Sequence, residues 1–446
     1  MVTAARSCAV LGQLKGGSMA SAKAPFGKAS AVFGKPPRAA RTAKPRSTHT
    51  TSGRLEMFLI SATVFLSPMN YLRTDLIYFT LSDLFALATV LLMLATRRLA
   101  TQPFGRQTPS WYAAVALFLF GLMLGSLVKG NPTTATTVFA QYIFSFVLLP
   151  MAICARPHSE IIFLVKIFVV SVALIMLHGA FMMAFNPDDV RFVSRSGRMY
   201  GLVERENATG ALGAVALVFC QWLYFSRKIS VAVLLLLSAP IAYGILLTGS
   251  NTGFFLALIG SFLLIFLNGS LRLLAASIVV AFAVLAVVAL WGEYFLPEIF
   301  VKRVYGALQS GDTSQAGTFE DRFALNQEAL ELARETIWIG LGIEQYRVVS
   351  AHGAPVHNTY LLTLTEGGLI SLIGLICLPA IAFYIGWRAF FGRHTHLSGA
   401  LTITYVCLFA LSLNGFAHIY ARFWAIPLLL AMSVSLSQLV ATSRPR

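Results

Sequence analysis

Residues 160–185 read EIIFLVKIFVVSVALIMLHGAFMMAF, a run in which Glu160, Lys166 and His178 are the only ionisable side chains. About 20 apolar residues in an α-helix suffice to cross a hydrocarbon core roughly 30 Å thick. The run therefore predicts a membrane-spanning helix. Its apolar residues are continuous rather than alternating, which argues against the strands of a membrane β-barrel.

Working outward from this run, similar apolar segments lie at about 57–70, 75–96, 111–128, 134–154, 207–225, 229–248, 252–268, 272–291, 359–387, 398–416 and 419–440. The expected fold is an all-α integral membrane protein with about 12 transmembrane helices. Composition agrees. The chain of 446 residues is 57% hydrophobic and 12% charged, whereas soluble domains average about 25% charged. That excludes a soluble enzyme and a disordered protein. No repeat period and no linker divides residues 55–446, which read as one polytopic membrane domain.

The net charge of +16 is mostly a property of the N-terminal segment. Residues 1–54 carry ten Lys and Arg and no acid, leaving 24 basic against 18 acidic residues in the rest. This placement argues against nucleic acid as a partner. The segment is rich in Ala, Gly, Ser and Pro, cannot build a core, and reads as a disordered basic cytoplasmic tail. Anionic membrane lipids are its natural contact. Met19 and Met57 are alternative starts for translation. Of the five cysteines, four fall within apolar segments, so there is no disulfide framework.

Short loops orient the spans by their Lys and Arg content. With the tail inside, the inner loops hold Arg97, Arg98, Arg106, Arg156, Arg227, Lys228, Arg272, Arg388 and Arg393, followed by Arg444 and Arg446. The short outer loops hold only Arg73, Lys129 and Arg422. Two longer polar segments, 186–206 and 292–358, then face outward.

The first of these holds Asp188, Asp189, Arg191, Arg195, Arg198, Glu204, Arg205 and Glu206. Translocated arginines beside a membrane span run against the charge rule. Either they pair with the acids or they bind an anion, for which the planar guanidinium is suited. In the second segment, TFEDRFALNQEALELARETIWIGLG (318–342) predicts an amphipathic helix. Thr318 and Asp321 form its capping box, and Phe319, Phe323, Leu330, Ala333 and Ile337 its apolar face. Gly340 and Gly342 end it.

Next comes SAHGAPVHNTYLLTLTEGG (350–368). A histidine at His357 is placed to accept a proton from an incoming hydroxyl, and Asn358 to orient it. Glu366 is an acid within an apolar span, a functional candidate by default. His352 reads as a polar residue at a helix start. No metal-ligand spacing is present. Asp83, Lys166 and His178 each stand alone in apolar surroundings, and ENATG (206–210) fits the short N-glycosylation pattern.

Four pieces of the chain together resemble the O-antigen ligase and polymerase superfamily: RMYGLVERENATG (198–210), LLTGSNTGFFLAL (246–258), EDRFALNQEALELARETIWIGLGIEQY (320–346) and HNTYLLTLTEGGLISLIGL (357–375). The core of the resemblance spans 232–376. One departure is that Asn251, rather than a basic residue, follows Ser250. The resemblance implies a GT-C-like fold and an inverting, metal-independent glycosyltransferase of the bacterial inner membrane that needs no cofactor. The donor it implies is a glycan on undecaprenyl pyrophosphate. The acceptor would be lipid A-core for a ligase or a lipid-linked repeat for a polymerase. The active face would be periplasmic, with 292–358 as the large periplasmic loop. Arg198, Arg205 and Arg322, with Arg303 secondary, are expected to hold the pyrophosphate. Of these, Arg198 follows from motif position, as does Asn207, while Arg205 rests on local charge. His357 is expected to serve the acceptor hydroxyl, with Asn358 and Glu366 near the substrates. The competing readings are a transporter or flippase of lipid-linked saccharides and a non-catalytic subunit of a polysaccharide assembly complex.

Overall fold

Each apolar segment contains a helix in the computed structural model, which describes residues 51–74, 79–305 and 319–443. The helices are α1 (Thr51–Leu66), α2 (Leu81–Ala95), α3 (Thr108–Val128), α4 (Pro132–Ile153), α5 (His158–Phe185), α6 (Glu206–Phe225), α7 (Val231–Leu247), α8 (Asn251–Leu267) and α9 (Leu271–Phe295). They continue with α10 (Phe319–Thr336), α11 (Thr359–Phe390), α12 (His396–Ser412) and α13 (Arg422–Ser443). A pair of two-residue strands, Arg73–Thr74 and Phe79–Thr80, joins α1 to α2. Among the described residues, seven helices are long and apolar enough to cross a membrane: α3, α4, α5, α6, α9, α11 and α13. The apolar helices α2, α7, α8 and α12 are shorter. Residues 51–54 lie within α1.

Burial ranks the helices. In α6, 78% of the apolar window is buried, and in α13, 72%. In α9 none is, so α9 lies on the outside of the described bundle. Helix α6 reaches the centre because its early turns are small: Ala208, Gly210, Ala211, Gly213 and Ala214 are buried. A Cβ on Gly253 of α8 would fall 2.6 Å from the Gly210 Cα, so these two helices meet backbone to backbone. Close approach through small residues is the usual packing mode where lipid removes the hydrophobic drive between helices.

Two polar contacts that local sequence does not announce tie the bundle. Asp83 is buried and does not stand alone. It accepts from the Nε of Arg422, across 339 positions, and closes a capping box with Thr80. Arg422, expected in an outer loop, opens α13 and also donates to Ser145 Oγ at 2.9 Å and the Tyr420 carbonyl at 2.7 Å. At the opposite charge-rich end, Arg156 holds Glu56 at 2.8 Å and Glu160 at 3.0 Å.

The feature that positions the site is a break in α11. Gly368 sits at φ 67°, ψ −172°, a region essentially closed to residues with a Cβ. The turn after α10 docks into the break. The Leu341 amide donates to the Thr365 carbonyl at 2.9 Å, the Gly342 amide to Glu366 at 2.8 Å, and the Leu369 amide to Ile337 at 2.7 Å. Backbone groups freed by the break are thereby satisfied within the protein, as apolar surroundings require. Gly340 and Gly342 do not end α10, which stops at Thr336; Gly340 lets this turn approach the α11 backbone, and Gly342 lets it approach Ser126 of α3 and Gly130 just after it. Gly368→Ala is expected to cost about 1–3 kcal/mol, because its Cβ would also meet the Trp338 carbonyl at 2.8 Å. Thermal unfolding of the purified protein should show a clear loss, and a smaller one for Gly353→Ala, whose Cβ meets nothing within 4 Å.

Helix α10 exists where the sequence predicts it, but its buried face differs. Leu325, Ala329 and Ala333 are buried, whereas Phe323 and Leu330 are exposed. Ala329 lets the helix pack close to Tyr346, Val356 and Leu362, a fit that larger side chains at that register would prevent. Thr318 of the expected capping box lies outside the described residues.

Candidate functional site

The 186–206 segment separates its arginines into two kinds. Arg191 is exposed and pairs with Asp189 through contacts of 2.7–3.2 Å, as the pairing reading expects. Arg198 is 7% exposed and meets Glu206 only at 3.9 Å. Its Nε donates to the Thr248 carbonyl at 2.8 Å, and its Nη2 to Asn207 Oδ1 at 2.9 Å. The same Asn207 oxygen accepts from Ser250 Oγ at 3.0 Å, and Ser250 caps α8 through the Gly253 amide. Two separate sequence motifs, 198–210 and 246–258, therefore close on one another around a buried guanidinium.

More positive charge gathers here. Arg303 lies beside Gly249, whose added Cβ would fall 3.4 Å from the Arg303 Cδ. A cation thus stands next to Gly249–Ser250 although Asn251 is not basic. Burial pushes the Arg198 guanidinium down to about 10; Glu206 opposes this, and Arg303 and Arg322 add to it. Burial and Arg303 likewise lower Arg322. Arg198 still stays charged at neutral pH. Three guanidinium groups in mutual reach, two of them destabilised by burial, concentrate positive charge here.

His357 stands in the loop before α11 and within electrostatic reach of the same group. Burial first, then the fields of Arg322 and Arg205, hold its imidazole below the usual histidine range. It is therefore neutral at pH 7 and able to accept a proton. Its Nδ1 is buried and has no hydrogen-bond partner. Arg205 is exposed, at the start of α6. The sequence-predicted Arg198, Asn207, Arg205, Arg322 and His357 are thus brought together.

Asn358 and Glu366 have other duties. The Asn358 side chain accepts from the Tyr360 and Leu361 amides at 3.0 and 3.1 Å, so its Oδ1 caps α11. Its type and place favour that cap, since Asn preceding a helix satisfies otherwise orphaned amides. Glu366 is buried at the break in α11, where its Oε1 accepts from the Tyr346 amide at 3.3 Å. It braces the docked turn.

Three residues were not singled out by sequence reasoning. Glu328 of α10 accepts from Tyr346 Oη at 2.9 Å, Ser350 Oγ at 2.7 Å and the Ala351 amide at 2.7 Å, anchoring the loop that leads to His357. Burial alone would raise its carboxyl, but these hydrogen bonds outweigh it and hold the group low. Glu344 meets His418 Nε2 at 3.2 Å. Glu344 and His418 are 74 positions apart and carry no common motif; only folding unites them.

Residues 232–376 match the family model described as O-antigen ligase, about a third of the chain. The match supports the O-antigen ligase superfamily. It includes Ser250, Arg303, Arg322 and His357; Arg198 and Asn207 lie before it and bond into it. No curated protein matches the chain.

Proposed function

We propose, with the O-antigen ligase match as premise, that this protein is a membrane glycosyltransferase of polysaccharide assembly. The apolar helices and the family support a multi-pass bacterial membrane protein. In this reading the chain crosses the inner membrane twelve times, with both ends cytoplasmic and the site on the periplasmic face. It moves a glycan from undecaprenyl pyrophosphate to lipid A-core or to a second lipid-linked repeat.

The observation that carries the reading is the buried Arg198 with Arg303 and Arg322, opposite a histidine kept neutral. The acceptor hydroxyl oxygen attacks the anomeric carbon from the face opposite the pyrophosphate, inverting it. The hydroxyl proton passes to His357. The bond from the anomeric carbon to the pyrophosphate oxygen breaks, and its electron pair stays on that oxygen. Arg198, Arg303 and Arg322, with Arg205 nearer solvent, stabilise this developing charge, which fixed cations in a water-poor site do better than water. Asn207 and the Thr248 carbonyl hold the Arg198 fork in place. Arg303 supplies the positive charge that Asn251 does not.

The cell-surface polysaccharide of a deletion strain tests the activity. Glycan missing from lipid A-core with free polymer retained identifies a ligase. Accumulated single repeats identify a polymerase. An unchanged profile counts against both.

A further inference from the structure

Glu344 and His418 form a second polar group beside the site that the transfer chemistry does not use. Glu344 belongs to the turn docked in the α11 break, within the GIEQY stretch (342–346). His418 belongs to the loop between α12 and α13. Both side chains are partly exposed, at 23% and 21%. The pair does little for the fold. Partly exposed ion pairs contribute little stability, and the Glu344 backbone sits at φ 62°, an uncommon and costly position for a residue with a Cβ.

The loop that carries His418 is pinned to the catalytic segment. The Thr359 amide donates to the Leu413 carbonyl at 2.7 Å, and Thr359 Oγ1 to the Phe416 carbonyl at 2.7 Å. Thr359 is two residues from His357, and His418 is within electrostatic reach of the His357 ring. The His418 ring lies 5.3 Å from Tyr420, tilted by 32°. Beneath His418 is a cavity of about 10 Å³, bordered by Tyr142, Thr363 and Glu366, enough for about one water. The site near His357 thus has a cationic group at Arg198, Arg303 and Arg322 and a separate acid–imidazole–aromatic group at Glu344, His418 and Tyr420.

We propose that Glu344 and His418 bind the sugar acceptor, the Glu344 carboxylate accepting hydrogen bonds from its hydroxyls while His418 holds that carboxylate in place. A carboxylate repels a pyrophosphate, so this group does not serve the donor's charged end. Neutral hydroxyls donate hydrogen bonds, which a carboxylate accepts. The inference rests on the glycan-transfer reading and names the acceptor side of that same site.

The test uses the purified full-length protein in lipid, with undecaprenyl-pyrophosphate-linked glycan from the same cells as donor. The acceptor is titrated with two probes in turn: lipid A-core from those cells, and the lipid-linked repeat itself. Glu344→Gln and His418→Gln are each expected to raise the KM of the working acceptor by about tenfold or more, the effect of losing a hydrogen bond to a charged group. The donor KM and the kcat at saturating acceptor should be unchanged, which also reports correct folding. If Glu344→Gln fails to assemble, His418→Gln, outside the docked turn, carries the test. An unchanged acceptor KM in an active His418→Gln protein overturns the acceptor site and leaves the transfer reading intact. So does a fall in kcat without a change in acceptor KM. A wild-type protein that consumes no donor with either probe overturns the transfer reading and this inference with it.

Discussion

His357→Ala is expected to lower turnover by about 10²–10⁴-fold, the usual contribution of a positioned general base. Protein level should hold, because His357 is a half-buried loop residue whose Nδ1 bonds no neighbour. His352→Ala is the control: that side chain is exposed, and its removal should be mild. The pH profile gives a second readout. Burial and the fields of Arg322 and Arg205 keep the His357 imidazole below its ordinary value. A base of this kind works when unprotonated. Activity should therefore persist as pH falls through the ordinary histidine range and be lost only below it. Arg322→Gln removes one of the depressing charges, so the acid limb should move to higher pH. Steady-state rates across pH, with wild type and the three variants, check all of this. Full activity in His357→Ala would remove the histidine from the chemistry.

Arg198→Lys should fail almost as completely, by about 10²–10³-fold, the effect of deleting one group that stabilises transition-state charge. Lysine keeps the positive charge. It cannot reproduce a fork that reaches the Thr248 carbonyl with Nε and Asn207 with Nη2 while facing a ligand. Asn207→Ala should cost less, since it removes one of the supports of that fork but no charge. A milder effect in Arg198→Lys than in Asn207→Ala would mean that the network, rather than the guanidinium, is what matters. Kinetics with a lipid-linked glycan donor decide between these outcomes.

Much of this arrangement was legible in the chain because it depends on local signals. Long apolar runs locate the helices, since crossing a membrane leaves few other ways to satisfy the backbone. Arg198 stands out because arginines beside a span run against the charge rule, and Asn207 because of its place in the 198–210 motif. What escaped the sequence depends on contacts between distant residues. Nothing near Asp83 announces Arg422, and nothing near Glu344 announces His418. The break at Gly368 lies inside a continuous apolar run; its partners, Ile337 to Gly342, come some 30 positions earlier, in a turn that looked like a simple helix end. On α10 the expected face included Phe323 and Leu330, yet packing against Tyr346 selected Leu325 and Ala329. Asn358 was read for its chemistry, whereas its position before a helix gave it a cap.

In the proposed reaction, guanidinium groups gathered around Arg198 hold the pyrophosphate while His357 takes the acceptor's proton. The most direct measurement follows a single turnover of radiolabelled glycan on undecaprenyl pyrophosphate, with purified wild type and Arg198→Lys in the same lipid. In wild type, undecaprenyl pyrophosphate should be released in step with glycan appearing on the acceptor, and in Arg198→Lys both should nearly stop. Donor left intact by wild type, or released by Arg198→Lys at the wild-type rate, would contradict the account.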